Sequence, residues 1–149
     1  MARIRISLPD TFLFHTTMPI RIDDINYGGH LSNDAVLTLA HEARVRYLKQ
    51  LGFTELDIGG VAILAADSAI EYKSEGFHGD VLDVDIGVAD IERKGCDMVY
   101  RFTNCHTGIE IARAKTGIVF FDRSSRKVVR VPPVFLEKIG KSRSPLQDS

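Results

Sequence analysis

The stretch RIDDINYGGHLSND, residues 21–34, gathers proton-handling groups and amides into one short span. Asp24 and Asp34 carry carboxylates, His30 an imidazole, and Asn26 and Asn33 amides that both donate and accept hydrogen bonds. Gly28 and Gly29 lie among them, where a missing side chain permits close approach of the backbone to a ligand or a dihedral that other residues avoid. An apolar extended stretch precedes this span and a helical pattern follows it. A helix N-terminus presents unpaired N–H groups and the positive end of a dipole, so such a junction suits an anion or a developing oxyanion. Each residue also has a structural reading: glycine for a tight turn, asparagine as a turn or cap residue, histidine as a hydrogen-bonded support.

Chemistry elsewhere is sparser. Asp34 sits where a helix dipole favours its ionised form, which makes it a good anion and a weak base. Glu42 and Arg44 fall in the middle of the same helix. Arg44 shares a face with Leu37, Ala40, Leu48 and Leu51, so it is partly buried and requires a partner, while Glu42 is either a site carboxylate or half of a structural ion pair. Asp67, inside the apolar run ILAADSAI, either faces a ligand cleft or is satisfied by backbone. Cys96 and Cys105 form no C-x-x-C pair, so neither a disulfide scaffold nor a zinc site is expected, and no metal is implied.

The elements that position these residues follow from periodicity. Residues 3–8, RIRISL, alternate basic and apolar as an edge strand, and FLFHTTMPIRI is a second extended stretch with Pro19 at an edge or break. From Asp34 to Leu51 the residues Val36, Leu39, Ala40, Ala43, Tyr47 and Leu51 recur on one helical face, Gly52 suits the position past its end, and Ser32, Asn33 and Asp34 each suit the cap. The later chain reads as strands: VAILAADSAIEYK, apolar enough for a central strand, then DVLDVDIGVADI, DMVYRFTNC and IEIARAKTGIVFFD, with turns at GFHGD, ERKG and HTG. Tyr72, Phe120 and Phe121 are expected in the core rather than in a ligand pocket. VFLEKI suits a short helix and residues 141–149, KSRSPLQDS, a frayed tail.

A chain of 149 residues with this uninterrupted pattern is one domain, 1–149. One helix against one antiparallel sheet gives an α+β class, and the sheet edges left over lead us to expect a homo-oligomer. A net charge of -1 argues against nucleic acid as a partner. The basic clusters DRSSRKVVR and KSRS serve either an anionic small ligand or a solvated surface. No run is long and apolar enough to span a membrane and the start, MARIRISLPD, lacks a signal-like apolar region, so a cytoplasmic protein is expected.

Taken together, RIDDINYGGHLSNDAVLTLAHEARVRYLKQLG resembles the hotdog-fold acyl-CoA thioesterases of the 4-hydroxybenzoyl-CoA thioesterase type, whose R-x-x-D-x-D-x-x-G-H-x-x-N signature precedes a helix carrying glutamate and arginine. Arg21, Asp24, Gly29, His30, Asn33, Glu42 and Arg44 carry the likeness, which extends through AIEYKSEGFHGDVLDVDI and EIARAKTGIVFFDRSSRKVVRVPP to cover about residues 17–135. Asn26 stands where that family usually has its catalytic aspartate. An amide cannot take a proton from water as a carboxylate does.

The resemblance implies a hotdog fold, one long helix wrapped by a curved antiparallel sheet. It implies hydrolysis of an acyl-CoA or acyl-carrier-protein thioester in a homodimer or homotetramer, with coenzyme A as part of the substrate and no other cofactor. On this reading Asn26, His30, Arg44, Asp34 and Glu42 form the catalytic set, with backbone N–H groups around Gly29 and His30 holding the oxyanion. Tyr27, Gly28, Gly29, Asn33 and Asp67 then contact substrate, and Arg123, Arg126 and Lys127 suit the coenzyme A phosphates by charge. Two rivals stand beside it: a non-catalytic acyl-CoA-binding hotdog module, and a hotdog enoyl-CoA hydratase whose D-x-N-P-x-H motif Asp24, Asn26 and His30 approach without the proline and with the histidine one place late.

Overall fold

In the computed structural model, which describes residues 2–141, the alternating segments assemble into a six-stranded antiparallel sheet with two helices. The strands are β1 (Phe14–Pro19), β2 (Ala62–Tyr72), β3 (Val81–Ala89), β4 (Gly95–Asn104), β5 (Glu110–Asp122) and β6 (Lys127–Val129). Helix α1 spans Asn33–Gln50 and α2 spans Pro133–Lys141. The sheet order is β1-β3-β4-β5-β2, and β6 pairs with the end of β5. This α+β arrangement agrees with the class expected from the sequence.

Register explains the core. Phe14, Ile86, Tyr100, Ala114 and Ile70 are cross-strand partners in turn, forming one row that crosses five strands. On β3, Leu82, Val84 and Ile86 are fully buried, whereas Asp83 and Asp85 point to the other face, where His15 and Arg101 pair with them. Against the buried rows lies α1, with Val36, Leu39, Ala40, Ala43, Tyr47 and Leu48 in the core cluster. Each large apolar side chain so buried contributes about 1.5–3 kcal/mol. Ser32 caps α1, its Oγ accepting the Ala35 N–H at 3.3 Å, and Gly52 takes φ +87° just past the end. Phe135 of α2 closes the far end of the core against Phe120 and Phe53. No helix among the described residues is long and apolar enough to cross a membrane.

Three expectations are corrected. Residues 3–8 form no strand, because the Ile6 backbone is held by side chains: its N–H donates to Glu71 at 2.9 Å and its carbonyl accepts from Arg113 at 2.9 Å. β2 is not central but the outermost strand beside β5, and Leu64 is 46% exposed there. Its apolar composition gave no hint of this, since an edge and a centre ask for the same β-branched and apolar residues. Tyr72, expected in the core, ends this edge strand and is 55% exposed. The tail from residue 142 onward, expected to fray, lies outside the described residues.

The opposite edge is managed differently. Arg46 reaches from α1 to donate to the Thr17 carbonyl at 3.0 Å and to the Thr16 hydroxyl at 2.9 Å, occupying acceptors on β1 that face away from β3.

Candidate functional site

Asp24 builds the approach to the loop. It is 3% exposed, and its carboxylate accepts the Arg21 N–H at 2.8 Å while its carbonyl accepts the Ser32 N–H at 2.8 Å. These bonds bracket a miniature hairpin in which Ile25 and Leu31 form a bridge and the Asn26 N–H donates to the His30 carbonyl at 2.8 Å. Gly29 takes φ +85° at the turn, a conformation that glycine adopts without strain.

Asn26 organises the interior of this hairpin. Its Oδ1 accepts the Gly28 N–H at 3.0 Å and the His30 N–H at 3.2 Å, and its carbonyl accepts the Gly29 N–H at 3.0 Å. The N–H groups of Gly28, Gly29 and His30 are therefore all spent on Asn26. This corrects the expectation that they hold an oxyanion, because a ligand would have to displace Asn26 to reach them. The same bonds orient the amide: two N–H donors can face only the oxygen, so Nδ2 is directed outward as a donor. An aspartate folded into this loop would present a second oxygen at that position, an acceptor. Asparagine therefore offers a hydrogen-bond donor where a carboxylate would offer an acceptor.

The hairpin docks on the β2–β3 connection. The Leu31 N–H donates to the Gly76 carbonyl at 2.7 Å, and a Cβ on Gly76 would come within 2.7 Å of Ile20 and 3.3 Å of Leu31. A side chain there would force the Ile20 and Leu31 side chains to move, so glycine suits that approach. Beside it, His30 Nδ1 lies 3.3 Å from Glu75 Oε1, and the His30 ring packs on Phe77 with centroids 5.6 Å apart. At the helix start, the Tyr72 hydroxyl donates to the Asn33 carbonyl at 2.9 Å. Burial first, and the nearby Asp34 charge second, push the Tyr72 phenol above its ordinary pKa, keeping it a donor. Asp34 accepts from the Ser32 hydroxyl at 2.7 Å, and this bond foremost holds its carboxyl below the usual range. It is an anion and a poor base, as its position in the sequence implies.

The structure thus brings together Asn26, Gly28, Gly29, His30, Asn33 and Asp34, with Tyr27 fully exposed at the hairpin tip. Three other candidates lie elsewhere. Glu42 points outward and pairs with Arg46 at 2.7 Å, which is the ion-pair alternative for that residue. Both line a groove of about 480 Å³ between α1 and β1, together with Met18, Arg21 and His41. Arg44 sits about 16 Å farther along the helix axis than Asn33, at ~1.5 Å rise per residue. It is 8% exposed and donates to Glu55 at 2.8 Å, to the Tyr100 hydroxyl at 3.0 Å and to Thr116 at 3.5 Å. Asp67 lies about 16 Å along β2 from Tyr72, at ~3.3 Å per residue. Its carboxylate is taken by Lys115 at 2.7 Å and by the Gly117 N–H at 3.2 Å, where a bulge interrupts β2.

Sequence reasoning passed over Tyr72, Glu75 and Phe77 as site residues. The stretch EYKSEGFHGD reads as a strand end and turn, and nothing local marks Gly76 as the point where the hairpin docks. Cys96 offers no nucleophile, since burial, and then Asp97, push its thiol up to about 12. Among the described residues no group of three or more His, Cys, Asp or Glu side chains is placed to hold a metal ion.

Comparison with known proteins gives three findings. The family described as the thioesterase-like superfamily matches residues 20–139. No curated protein matches the sequence. Among solved structures, a 1,4-dihydroxy-2-naphthoyl-CoA thioesterase from Synechocystis superposes with TM-score 0.78 at 20% identity, covering 85% of this chain and 94% of that one. A DHNA-CoA thioesterase from Staphylococcus aureus gives TM-score 0.75 at 21% identity, covering 85% and 88%. A hypothetical protein from Staphylococcus aureus, characterised in complex with CoA, gives 0.78 at 15% identity, covering 93% and 87%. At these identities the structural likeness is one of fold.

Proposed function

Because the chain belongs to the thioesterase-like superfamily, matched over residues 20–139, we propose that it hydrolyses an acyl-CoA or acyl-carrier-protein thioester to free acid and thiol at the 25–31 hairpin. The observation that carries this reading is the orientation of Asn26, whose Oδ1 is spent on two backbone N–H groups while Nδ2 faces outward. That amide polarises the thioester carbonyl and stabilises the oxyanion formed when water adds. The thiolate is a good leaving group, so no strong acid is required behind it. Membership of the 4-hydroxybenzoyl-CoA type, within the superfamily, is part of the proposal and rests on the signature around Arg21, Gly29 and Asn33. Coenzyme A enters as part of the substrate, and the enzyme works in the cytoplasm without another cofactor.

The working unit we propose is a homodimer or larger homo-oligomer. β2 leaves an apolar edge uncovered, and an unpaired edge of this length favours pairing with another strand. Two copies joined antiparallel at β2 would carry the β5–β6 turn of one, with Arg123, Arg126 and Lys127, toward the hairpin of the other. Within one chain that turn lies at the opposite end of β2 from Tyr72, roughly 33 Å away at 3.3 Å per residue. Light scattering on wild type and Leu64→Lys tests the pairing: a dimer that the lysine dissociates supports it, and a wild-type monomer refutes it.

Thiol release from a panel of acyl-CoAs, short to long and aromatic, by wild type and Asn26→Ala tests the activity. Aromatic acyl groups belong in the panel because one structure of like fold is named for 1,4-dihydroxy-2-naphthoyl-CoA and because Tyr72 and Phe77 border the hairpin. Turnover by wild type with a fall of about tenfold or more in the variant, ~1.4 kcal/mol of transition-state stabilisation, is the expected result. The absence of any carboxylate at Asn26 favours one other reading, a binding module. Tight binding of a non-hydrolysable acyl-CoA with no turnover would assign it. Hydration of an enoyl-CoA without thiol release would assign the hydratase instead.

A further inference from the structure

If Asn26 is a donor, the hydrolysis needs its proton acceptor elsewhere, and the hairpin narrows the choice. Asp34 is turned onto Ser32, Asp24 is buried in the Arg21 turn, and Asp80 accepts from the Phe77 N–H at 3.0 Å. Arg44 and Glu42 are occupied along the helix. His30 alone in the hairpin combines a proton-accepting nitrogen with an oriented ring.

Two contacts orient it. Nδ1 lies 3.3 Å from Glu75 Oε1 and the Phe77 ring packs on the imidazole, both on the connection whose Gly76 carbonyl accepts the Leu31 N–H. Nε2 faces the other way. It lies 3.9 Å from the point where a Cβ on Gly28 would stand, and Asn26 Oδ1 lies 3.4 Å from that same point. Because Gly28 has no side chain, the space over it is bordered by the Asn26 amide, through Oδ1, on one side and by His30 Nε2 on the other.

We propose that His30 is the general base of the hydrolysis and that Glu75 is its positioning residue, a dyad that takes over the proton transfer that Asn26 cannot perform. The inference rests on the thioesterase reading above. A water in the space over Gly28 gives a proton to Nε2 as its oxygen bonds to the thioester carbonyl carbon, and the carbonyl electron pair becomes the oxyanion facing Asn26 Nδ2. Collapse of that oxyanion restores the carbonyl and breaks the C–S bond, and the departing thiolate takes the proton back from Nε2. The products are the acid and the thiol, and His30 is neutral again. The Glu75 carboxylate beside Nδ1 favours the tautomer that carries its proton there, which leaves Nε2 free to accept, and it stabilises the imidazolium while that exists. Glu75 is the charged side chain placed against the imidazole; Asp24 before the hairpin, Asp34 from α1 and Asp80 from the β2–β3 connection are each engaged as described.

The test measures kcat/KM against pH for wild type, His30→Gln, Glu75→Gln and Glu75→Asp on the thioester that wild type turns over best. Far-UV circular dichroism checks each fold, and exposed Glu75 provides variants independent of the hairpin. Expected are a fall of about 10²–10⁴ for His30→Gln, the usual worth of a general base, with loss of the acid limb of the profile. Glu75→Gln should fall by about tenfold with a displaced acid limb, and Glu75→Asp should recover part of the loss. A His30→Gln enzyme that keeps the wild-type rate or the acid limb overturns the base, and a Glu75→Gln profile superimposable on wild type overturns the positioning role. In both of those cases wild-type turnover leaves the thioesterase reading standing. A wild type inert on every thioester overturns both at once.

Discussion

At its N-terminal end α1 meets a hairpin whose polar groups bond to one another across two to four residues and lie in contact with solvent. At its middle it sends Arg44 into the sheet, where Glu55, Tyr100 and Thr116 come from three other segments and are mostly enclosed. Tyr100 and Thr116 also bond each other at 2.8 Å, and exposed His41 reaches Glu55 at 2.6 Å. Both clusters are rich in groups that could do chemistry. In the buried one the guanidinium and its partners are consumed by mutual satisfaction, as the cost of burying charge demands. In the hairpin, local bonds fix the shape and still leave Asn26 Nδ2 and His30 Nε2 uncommitted. Site chemistry is therefore read better from which polar groups remain uncommitted than from how many are gathered.

The largest effect should come from breaking the buried cluster. Arg44→Met takes the guanidinium away from the Glu55 carboxylate and the Tyr100 hydroxyl, and urea unfolding should show a loss of about 3 kcal/mol. Equal stability of wild type and variant would mean that the cluster is solvated and that the contrast with the hairpin is false. Next is Asn26→Ala, expected to lower kcat/KM by about tenfold, ~1.4 kcal/mol, while moving the melting temperature little, since its bonds lie at the surface. A large drop in melting temperature would make the hairpin a structural element like the other cluster.

Glu55→Gln sharpens the comparison through pH. Burial by itself raises the Glu55 carboxyl, but the hydrogen bonds from Arg44 and His41 outweigh it and hold the group below its ordinary value. A carboxyl so depressed stabilises the fold above its unfolded value, and that stabilisation is lost as pH falls through the folded one. Wild type should therefore exceed the variant in stability near neutrality, with the gap closing on acidification; a gap independent of pH would exclude this linkage. The smallest effect is that of Tyr72→Phe, which removes one exposed hydrogen bond to the Asn33 carbonyl and should cost about 0.5 kcal/mol. Its use is in kinetics: a raised KM with unchanged kcat would make Tyr72 a substrate contact, and no kinetic change would leave it a support for the helix start.

The local parts of this protein were legible in its sequence. The period of Val36, Leu39, Ala43 and Tyr47 marked α1, Ser32 was among the caps proposed, and the alternation of Leu82, Val84 and Ile86 with Asp83 and Asp85 gave the faces of β3. The junction at 21–34 stood out by composition, and the partner that Arg44 required was foreseeable as a need. Its identity was not: Glu42, two residues away, cannot fold back onto Arg44 along the helix, whereas Glu55 is brought beneath it by the chain returning toward β2. The same limit hid the exposed place of β2 and Tyr72, since apolar residues suit both an enclosed strand and an edge awaiting a cover.

What the sequence by itself determined, then, is everything governed by contacts a few residues apart: helix and strand periods, caps, the Asn26 turn with its glycine, and the exchange of an acceptor for a donor at its centre. Only the tertiary structure decided which of these meet. His30 faces Glu75 because the hairpin docks at Gly76, and Arg44 faces Tyr100 and Thr116 because β4 and β5 lie under α1. Those meetings depend on strand order and register, which are chosen by the packing of the whole apolar face at once and leave no mark in the neighbourhood of either partner.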